Sequence, residues 1–321
     1  MGKILEGISW TPTWTSLMGC YKGISDYHKL DNSLGWVFGA TGNAFVINIC
    51  HRGVCPSGPT AWKSHMLPKL ASNIGLKFDG VFGFKPKTGD LTELQTKTWE
   101  RTREYIDRGI PGYSWDLVVP EYYIVKGYDN SGYLFSGPAP DESHKNKSYP
   151  WDKLGEREIP ILEMHWVDKK DKADKRATIK EALEFAVEHA TTRIYLFDDY
   201  ESGLDAFDIW IDTLRKGEAL YNGMSYNTAA WYECRHNAVI FLKEVEHILA
   251  GSCQHELSTA IDAYSEVESH LSTLHKEFPF SFSEEFIKDS EKIAKGCDIL
   301  KGAKDAEASA IGSLKGLIKC L

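Results

Sequence analysis

Two patterns of hydrophobic and polar positions meet near residue 170 of the chain. In the first half, short apolar runs are broken by Gly and Pro, which is typical of strands joined by turns. Predicted strands cover residues 43–49, 80–84, 122–128 and 132–137, and predicted helices cover 15–30, 65–75 and 91–109. The first half is therefore predicted to be a mixed α/β domain.

The second half carries almost only helical periodicity. Predicted helices cover residues 172–191, 202–217, 227–251, 255–278 and 283–321, the last with a break near Gly302. The fold class predicted from the whole pattern is α+β, with an α/β domain at 1–170 followed by an all-α helical bundle domain at 171–321.

Charge is distributed unevenly between the two halves. Residues 1–165 hold 18 basic and 18 acidic side chains, whereas residues 166–321 hold 19 basic and 28 acidic ones and so carry the whole net charge of −9. An acidic half repels phosphate backbones, so nucleic acid is excluded as an expected partner.

Neither a membrane segment nor a secretory signal is expected. No run approaches the roughly 18–20 apolar residues that span a bilayer, and Glu6 interrupts the N-terminal stretch where a signal peptide would be apolar. The seven scattered cysteines contain no CxxC motif and are expected to be reduced. These features predict a cytoplasmic protein.

Two sequence segments carry a resemblance to a known family. They are "TSLMGCYKGISDY" (15–27) leading to "GATGNAFVINI" (39–49), and "GIPGYSWDLVVPEYYIVKGYD" (109–129). The first half resembles papain-like cysteine peptidases of the bacteriocin-leader-processing type, and more closely the butirosin biosynthesis protein H N-terminal-like family. The resemblance covers residues 7–165 and implies a papain-like fold there. The helical half also resembles the carboxy-terminal part of such relatives.

The resemblance implies a catalytic triad whose residues this chain lacks. In the family, a helix begins at a nucleophilic Cys, a His on a later strand takes the proton, and an Asp or Asn orients the ring. The corresponding positions here are Pro12 or a neighbour, Glu121, and Ser136 or Gly137. Cys20 lies more than a turn inside the helix, where a thiol is expected to pack in the core. Thiol peptidase activity is therefore not expected.

Glu121 and Asp116 are the candidate catalytic residues. Glu121 is predicted to enter a buried strand, so its carboxylate needs a partner or a raised pKa. It would serve as a general base or as an anchor for a cationic or hydrogen-bonding ligand; alternatively it lies at the surface or in a structural salt bridge. Asp116 would be the second carboxylate of a pair, or alternatively would cap its own loop.

The other candidates are ligand-binding residues. Trp10, Trp14 and Trp115, with Thr13 in the same segment, would line a flat pocket for a planar or amine-bearing ligand, unless the rings are simply core. Further candidates lie elsewhere in the chain. Asn43 would hydrogen-bond near the cleft or sit in a turn. Arg235 would pair with an acid of the first domain and close the cleft, or form an interdomain or surface salt bridge.

No metal site or cofactor is expected. Cys50, His51 and Cys55 form the tightest His/Cys cluster, but three groups within six residues are weak evidence for zinc, and a Cys55–His51 nucleophile lacks a helix N-terminus. The glycine-rich stretch at 39–45 precedes a strand and lacks the lysine of a phosphate-binding loop.

Three functions are compatible with these residues. The favoured one is a catalytically degenerate protein that binds a small molecule or a peptide in the former active-site cleft. The second is an acyl or amide transferase of natural-product biosynthesis, or a hydrolase, that works without a Cys–His dyad and uses Glu121 as its base. The third is a structural or assembly protein. The sequence leaves a homodimer open.

Overall fold

The computed structural model describes residues 2–138, 147–249, 251–280 and 287–321, and its fold class is α+β. The chain forms two compact units. The sheet unit comprises Met1–Ser33 and Ala71–Lys172, and the helical unit comprises Leu34–Leu70 and Ala173–Leu321. The second boundary lies close to the predicted one at residue 170, whereas Leu34–Leu70 belongs with the helices.

Strands and helices are mixed up to residue 169, and almost all of the later elements are helices. The strands are β1 (Lys3–Ile4), β2 (Asn48–Cys50), β3 (Leu76–Phe84), β4 (Gly112–Trp115), β5 (Tyr122–Tyr128), β6 (Gly132–Ser136), β7 (Tyr149–Pro150), β8 (Ile161–Lys169) and β9 (Tyr200–Ser202). The helices are α1 (Ser16–Tyr27), α2 (Leu34–Ala40), α3 (Met66–Ala71), α4 (Lys85–Thr88), α5 (Thr92–Asp107), α6 (Lys175–Thr191), α7 (Gly203–Arg215), α8 (Tyr221–Leu249), α9 (Gln254–Glu277) and α10 (Ser290–Cys320).

The described part of the sheet unit contains a seven-stranded antiparallel sheet. Its order is β3-β8-β4-β5-β6-β7, and β1 pairs with β5. Alternate residues of β8 face opposite sides of this sheet. Leu162, Met164 and Trp166 are buried in the core under α5, where the Trp166 indole donates to Thr102 Oγ1 at 3.1 Å. Glu163 and His165 therefore lie on the other side of the sheet.

In the helical unit, α8, α9 and α10 pack together, and the short strands β2 and β9 pair antiparallel. The predicted strand at 43–49 is wrong in its first part, because Asn43–Phe45 forms a 3-10 turn and pairing begins only at Asn48. The predicted break near Gly302 is also wrong: α10 runs through it. A Cβ at Gly302 would lie 2.5 Å from His270 Cε1, so the glycine allows close packing.

The cysteines are not all reduced, which corrects the prediction made from their scattered positions. Cys253 and Cys320 form a disulfide across 67 positions of sequence, joining the start of α9 to the end of α10. The pair was not recognisable from spacing because its two partners meet only after the helices pack. In the described ranges, no helix is both long and apolar enough to cross a bilayer.

A histidine is buried in the core of the helical unit. His189 contacts the rings of Trp62, Phe185 and Tyr195. Within the described residues neither of its ring nitrogens has a hydrogen-bond partner. Burial, and to a lesser extent the charge of Arg235, lowers the pKa of His189 from 6.5 to about 3.

The buried histidine makes unfolding sensitive to acid. The folded chain keeps His189 neutral, whereas the unfolded chain takes up a proton below a pH of about 6.5. The free energy of unfolding should therefore fall as the pH drops from about 6.5 towards 3. Between pH 7 and 5, the variant His189→Phe should lose about 2 kcal/mol less stability than the wild type. Urea unfolding at both pH values measures this, and equal losses in the two proteins would refute it.

Candidate functional site

The first residue of α1 contacts the residue that precedes β5. Ser16 Oγ donates a short hydrogen bond to Glu121 Oε2 and accepts one from the Tyr122 N–H at 2.9 Å. Thr15 is the N-cap residue of α1, so Ser16 opens the helix. Two hydrogen bonds therefore join the start of α1 to the start of β5.

The segment before α1 folds back over the first turns of the helix. A Cβ at Gly19 would lie 2.3 Å from both the Thr11 carbonyl oxygen and Trp10 Nε1, and one at Gly23 would lie 2.1 Å from the Ser9 carbonyl oxygen. Only glycine at positions 19 and 23 leaves room for this approach. The Trp10 indole N–H in turn donates to the Ser16 carbonyl oxygen at 3.0 Å.

The same tryptophan reaches the end of β6. Its backbone N–H donates to Ser136 Oγ at 3.1 Å. We call Trp10, Ser16, Glu121 and Ser136 the Glu121 cluster. Its members come from the helix start, the strand start and the following strand, which are the three places where the sequence analysis expected the triad positions. The one unforeseen member is Ser16, which lies four residues beyond Pro12.

The Glu121 cluster has a buried side and a half-buried side. Ser16 is 1% exposed. Trp10, Thr13, Trp14 and Glu121 are each half-buried, and the Thr13 hydroxyl donates to the Thr15 carbonyl oxygen at 3.0 Å. Glu121 therefore holds Ser16 in the interior and is itself a half-buried residue, and the segment that leads to Ser16 carries two half-buried tryptophans.

The nearest thiol is not available for chemistry. Cys20 is fully buried, as the sequence analysis expected. Burial raises the pKa of the Cys20 thiol well above its usual value, and the negative charge of Glu121 raises it further. The thiolate, which is the reactive form, is strongly disfavoured there.

Asp116 contacts Glu121 through the backbone. The Asp116 N–H donates to the Glu121 carbonyl oxygen at 2.8 Å, while its carboxylate accepts from Arg157 Nε at 2.9 Å. Arg157 also donates to the Val118 carbonyl oxygen at 2.7 Å. Burial raises the pKa of the Asp116 carboxyl above its usual value, against the opposing effect of Arg157. With a φ of +56°, Asp116 closes the loop between β4 and β5.

A second polar group on the sheet was missed by the sequence analysis. The backbone N–H of Tyr122 donates to Ser16, and its hydroxyl donates a hydrogen bond to Glu163 Oε2 at 3.3 Å. On the other side of the same carboxylate, His165 Nε2 lies 3.0 Å from Glu163 Oε1. The His165 ring stacks on Tyr113 at 4.9 Å. We call Glu163 and His165 the Glu163 pair. Their spacing of two along a strand is the signal that could have placed them on one face.

Tyr122 links the Glu163 pair to Trp115. The two rings meet edge to face at 5.0 Å, and Trp115 is buried. Among the described residues, Trp115 Nε1 has no hydrogen-bond partner. Burial raises the pKa of the Tyr122 hydroxyl well above its usual value, so the phenol stays protonated and serves as a donor to Glu163.

Asn43 and Arg235 lie in the interior of the helical unit. Arg235 is fully buried and forms a two-pronged ion pair with Glu307 of α10. Asn43 Oδ1 accepts a weak hydrogen bond from the Cys234 thiol at 3.8 Å. Arg235 thus pairs with an acid of its own unit instead of one from the first domain; its helix α8 and the acid's helix α10 both pack against α9. The Glu121 cluster contains neither residue.

The His51 region does not assemble a metal site. His51 Nε2 lies 3.3 Å from Glu201 Oε1, and Glu201 also binds Arg193. Within the part of the chain that the structure describes, no group of three or more His, Cys, Asp or Glu side chains is placed to hold a metal ion.

The chemistry open to the Glu121 cluster follows from these contacts. The only proton of the Ser16 hydroxyl points at Glu121, and its oxygen accepts from a backbone N–H. A buried hydroxyl held in this way serves as a structural link, while the half-buried carboxylate and indoles can contact a ligand. Comparison of the chain with protein-family models and with curated proteins found no match.

Proposed function

We propose that the sheet unit is a recognition domain built on the papain-like plan. In it, the Ser16–Glu121 hydrogen bond would occupy the place of the thiol–imidazole pair. The ligand would be an amine-bearing small molecule, or the amino group of a peptide segment, bound in the former active-site cleft. The single observation that carries this proposal is the contact of Ser16 at the helix start with Glu121 at the strand start.

The side chains of the cluster favour a cationic group. A carboxylate forms charge-assisted hydrogen bonds with an ammonium group, which are about twice as strong as neutral ones. The half-buried rings of Trp10 and Trp14 lie in the segment that leads to Ser16, and indole faces attract cations. Glu163 adds a second carboxylate, linked to the first through Tyr122 and Ser16.

The alternative function is a hydrolase or transferase in which Glu121 would draw the proton from Ser16. The hydrogen bond from Ser16 to Glu121 is the observation in its favour. Two others favour recognition: Ser16 is only 1% exposed, and its oxygen already accepts the Tyr122 N–H. Covalent labelling of Ser16 by a fluorophosphonate would support the enzyme and contradict the recognition domain.

The proposal predicts a preference among three small aromatic ligands that differ in charge. Phenethylamine, 2-phenylethanol and 3-phenylpropionate share a ring and a two-carbon arm, and differ in the charge at its end. We expect only the amine to raise the melting temperature, because only its ammonium group can pair with the carboxylate. A ligand at about 100 times its Kd adds about 2.7 kcal/mol to the stability of the folded state. Thermal unfolding with each compound measures this. Equal shifts with the alcohol or the acid would contradict a carboxylate anchor.

A further inference from the structure

The segment "CHRGVC" (50–55) brings two thiols together in the helical unit. Cys50 ends β2 and is fully buried, whereas Cys55 is half-buried. Cys50 pairs with Tyr200 across β2 and β9, and the Cys55 thiol is linked to the hydroxyl of the same tyrosine through Ser57. The charges of the two thiols also influence each other. All seven cysteines lie within the described residues, and the other free thiols, Cys20, Cys234 and Cys297, are buried. Cys55 is thus the free thiol that a reagent from solution reaches first.

The surroundings of the two thiols differ in a way that assigns them different roles. The Arg52 N–H donates to Cys50 Sγ at 3.4 Å. Cys55 Sγ lies 2.8 Å from Ser57 Oγ, which is 2.6 Å from the Tyr200 hydroxyl. Burial raises the pKa of the Cys50 thiol above its usual value, so Cys50 does not attack first.

The loop between the cysteines holds them in this arrangement. Val54 has a φ of +52°, a left-handed conformation that is an outlier for a β-branched residue and is characteristic of strained functional loops. Asn227 of α8 fixes the end of the loop, since its Nδ2 donates to the Cys55 carbonyl oxygen at 3.0 Å. Both ends of the loop that carries the thiols are therefore fixed, one by the pairing of β2 with β9 and the other by a helix outside the loop.

We infer that Cys50 and Cys55 form a thiol–disulfide exchange site that reacts with small-molecule disulfides. The Cys55 thiol loses its proton and its sulfur attacks one sulfur of the disulfide, which releases the first thiol and leaves a mixed disulfide on Cys55. The Cys50 thiol then loses its proton and attacks Cys55 Sγ. This step forms the Cys50–Cys55 bond and releases the second thiol, so the small molecule is reduced by two electrons and the protein is oxidised by two.

Oxidised glutathione, added to the folded protein, tests this inference. After the remaining thiols are blocked with N-ethylmaleimide, trypsin cuts behind Arg52, between the two cysteines. A Cys50–Cys55 disulfide is then seen by mass spectrometry as two linked peptides. We expect this linked pair in the wild type. In Cys50→Ser, we expect glutathione to remain on Cys55 at a level about tenfold higher, because no second thiol displaces it.

The matched variant Cys55→Ser should leave Cys50 unmodified, because that thiol is buried. Stable glutathione on Cys55 of the wild type, or an unreactive Cys55, would overturn the inference. Phenylarsine oxide gives a second test on the wild type, which does not depend on the folding of a variant. This arsenical bridges paired thiols, so it should protect Cys55 from N-ethylmaleimide; no protection would also overturn the inference.

Discussion

Replacing Arg235 with methionine is expected to lower the free energy of unfolding of the helical unit by about 3–5 kcal/mol. Arg235 Nε and Nη2 donate to the two oxygens of Glu307 at 2.9 and 2.7 Å, and Nη1 donates to the Ala44 and Val46 carbonyl oxygens at 2.9 and 2.8 Å. Glu307 is only 1% exposed. Without the guanidinium, a buried carboxylate and two buried carbonyls lose their donors, which costs more than the pair contributes in net terms.

Urea unfolding followed by circular dichroism measures this loss. The matched control is Arg215→Met, which removes an Arg of the same unit that is 56% exposed in its ion pair with Asp212; exposed pairs contribute about 0–1 kcal/mol. The double variant Arg235→Met with Glu307→Leu should recover much of the stability, because no buried charge is then left alone. If Arg235→Met costs no more than Arg215→Met, the buried pair does not stabilise the unit in this way.

Reduction of the Cys253–Cys320 disulfide is expected to cost about 4 kcal/mol of stability. The bond closes a loop of 67 positions, and cutting it gives the unfolded chain more conformations. It also joins the beginning of α9 to the last turn of α10, so its loss allows both helix ends to separate. Urea unfolding with and without a phosphine reductant measures the difference.

The variant with serine at both Cys253 and Cys320 provides the control, because the reductant should leave its stability unchanged. A second measurement checks that the bond exists. Alkylation of the unfolded, unreduced wild type should modify the other cysteines and leave these two unmodified. Modification of all seven cysteines would show that the disulfide is absent.

Elements with a clear local period were predictable from sequence. The strand at residues 122–128 was predicted with the bounds that the structure gives, and the long helices agree within a few residues at most ends. Strand β8 was missed because its alternating residues lead directly into a lysine-rich stretch. Helix α2 was missed because it is short and apolar on all sides; its glycines pack against Ile240 and Phe241 of α8, a contact that only the tertiary structure supplies.

The candidate site was predictable only in part, for the same reason. Glu121 was predictable as a candidate from its place before a buried strand. Its partner Ser16 lies 105 positions away and has the local sequence pattern of an ordinary helix residue. Arg235 was expected to pair across domains or at the surface, yet its partner is the buried Glu307 of its own unit. Partners distant in sequence are set by packing, which hydrophobic periodicity does not encode.

The most direct test of the recognition site is the affinity of phenethylamine for three proteins, measured by calorimetric titration. They are the wild type, Glu121→Gln, and Glu100→Gln as a control at an exposed position of α5. Glutamine can still accept the Ser16 hydrogen bond, so the cluster should stay folded while the charge is lost. We predict that Glu121→Gln weakens binding about 10- to 100-fold, the equivalent of a charged hydrogen bond of about 1.5–3 kcal/mol, and that Glu100→Gln leaves it unchanged. Equal affinity in all three proteins would contradict the proposal that Glu121 holds the ligand.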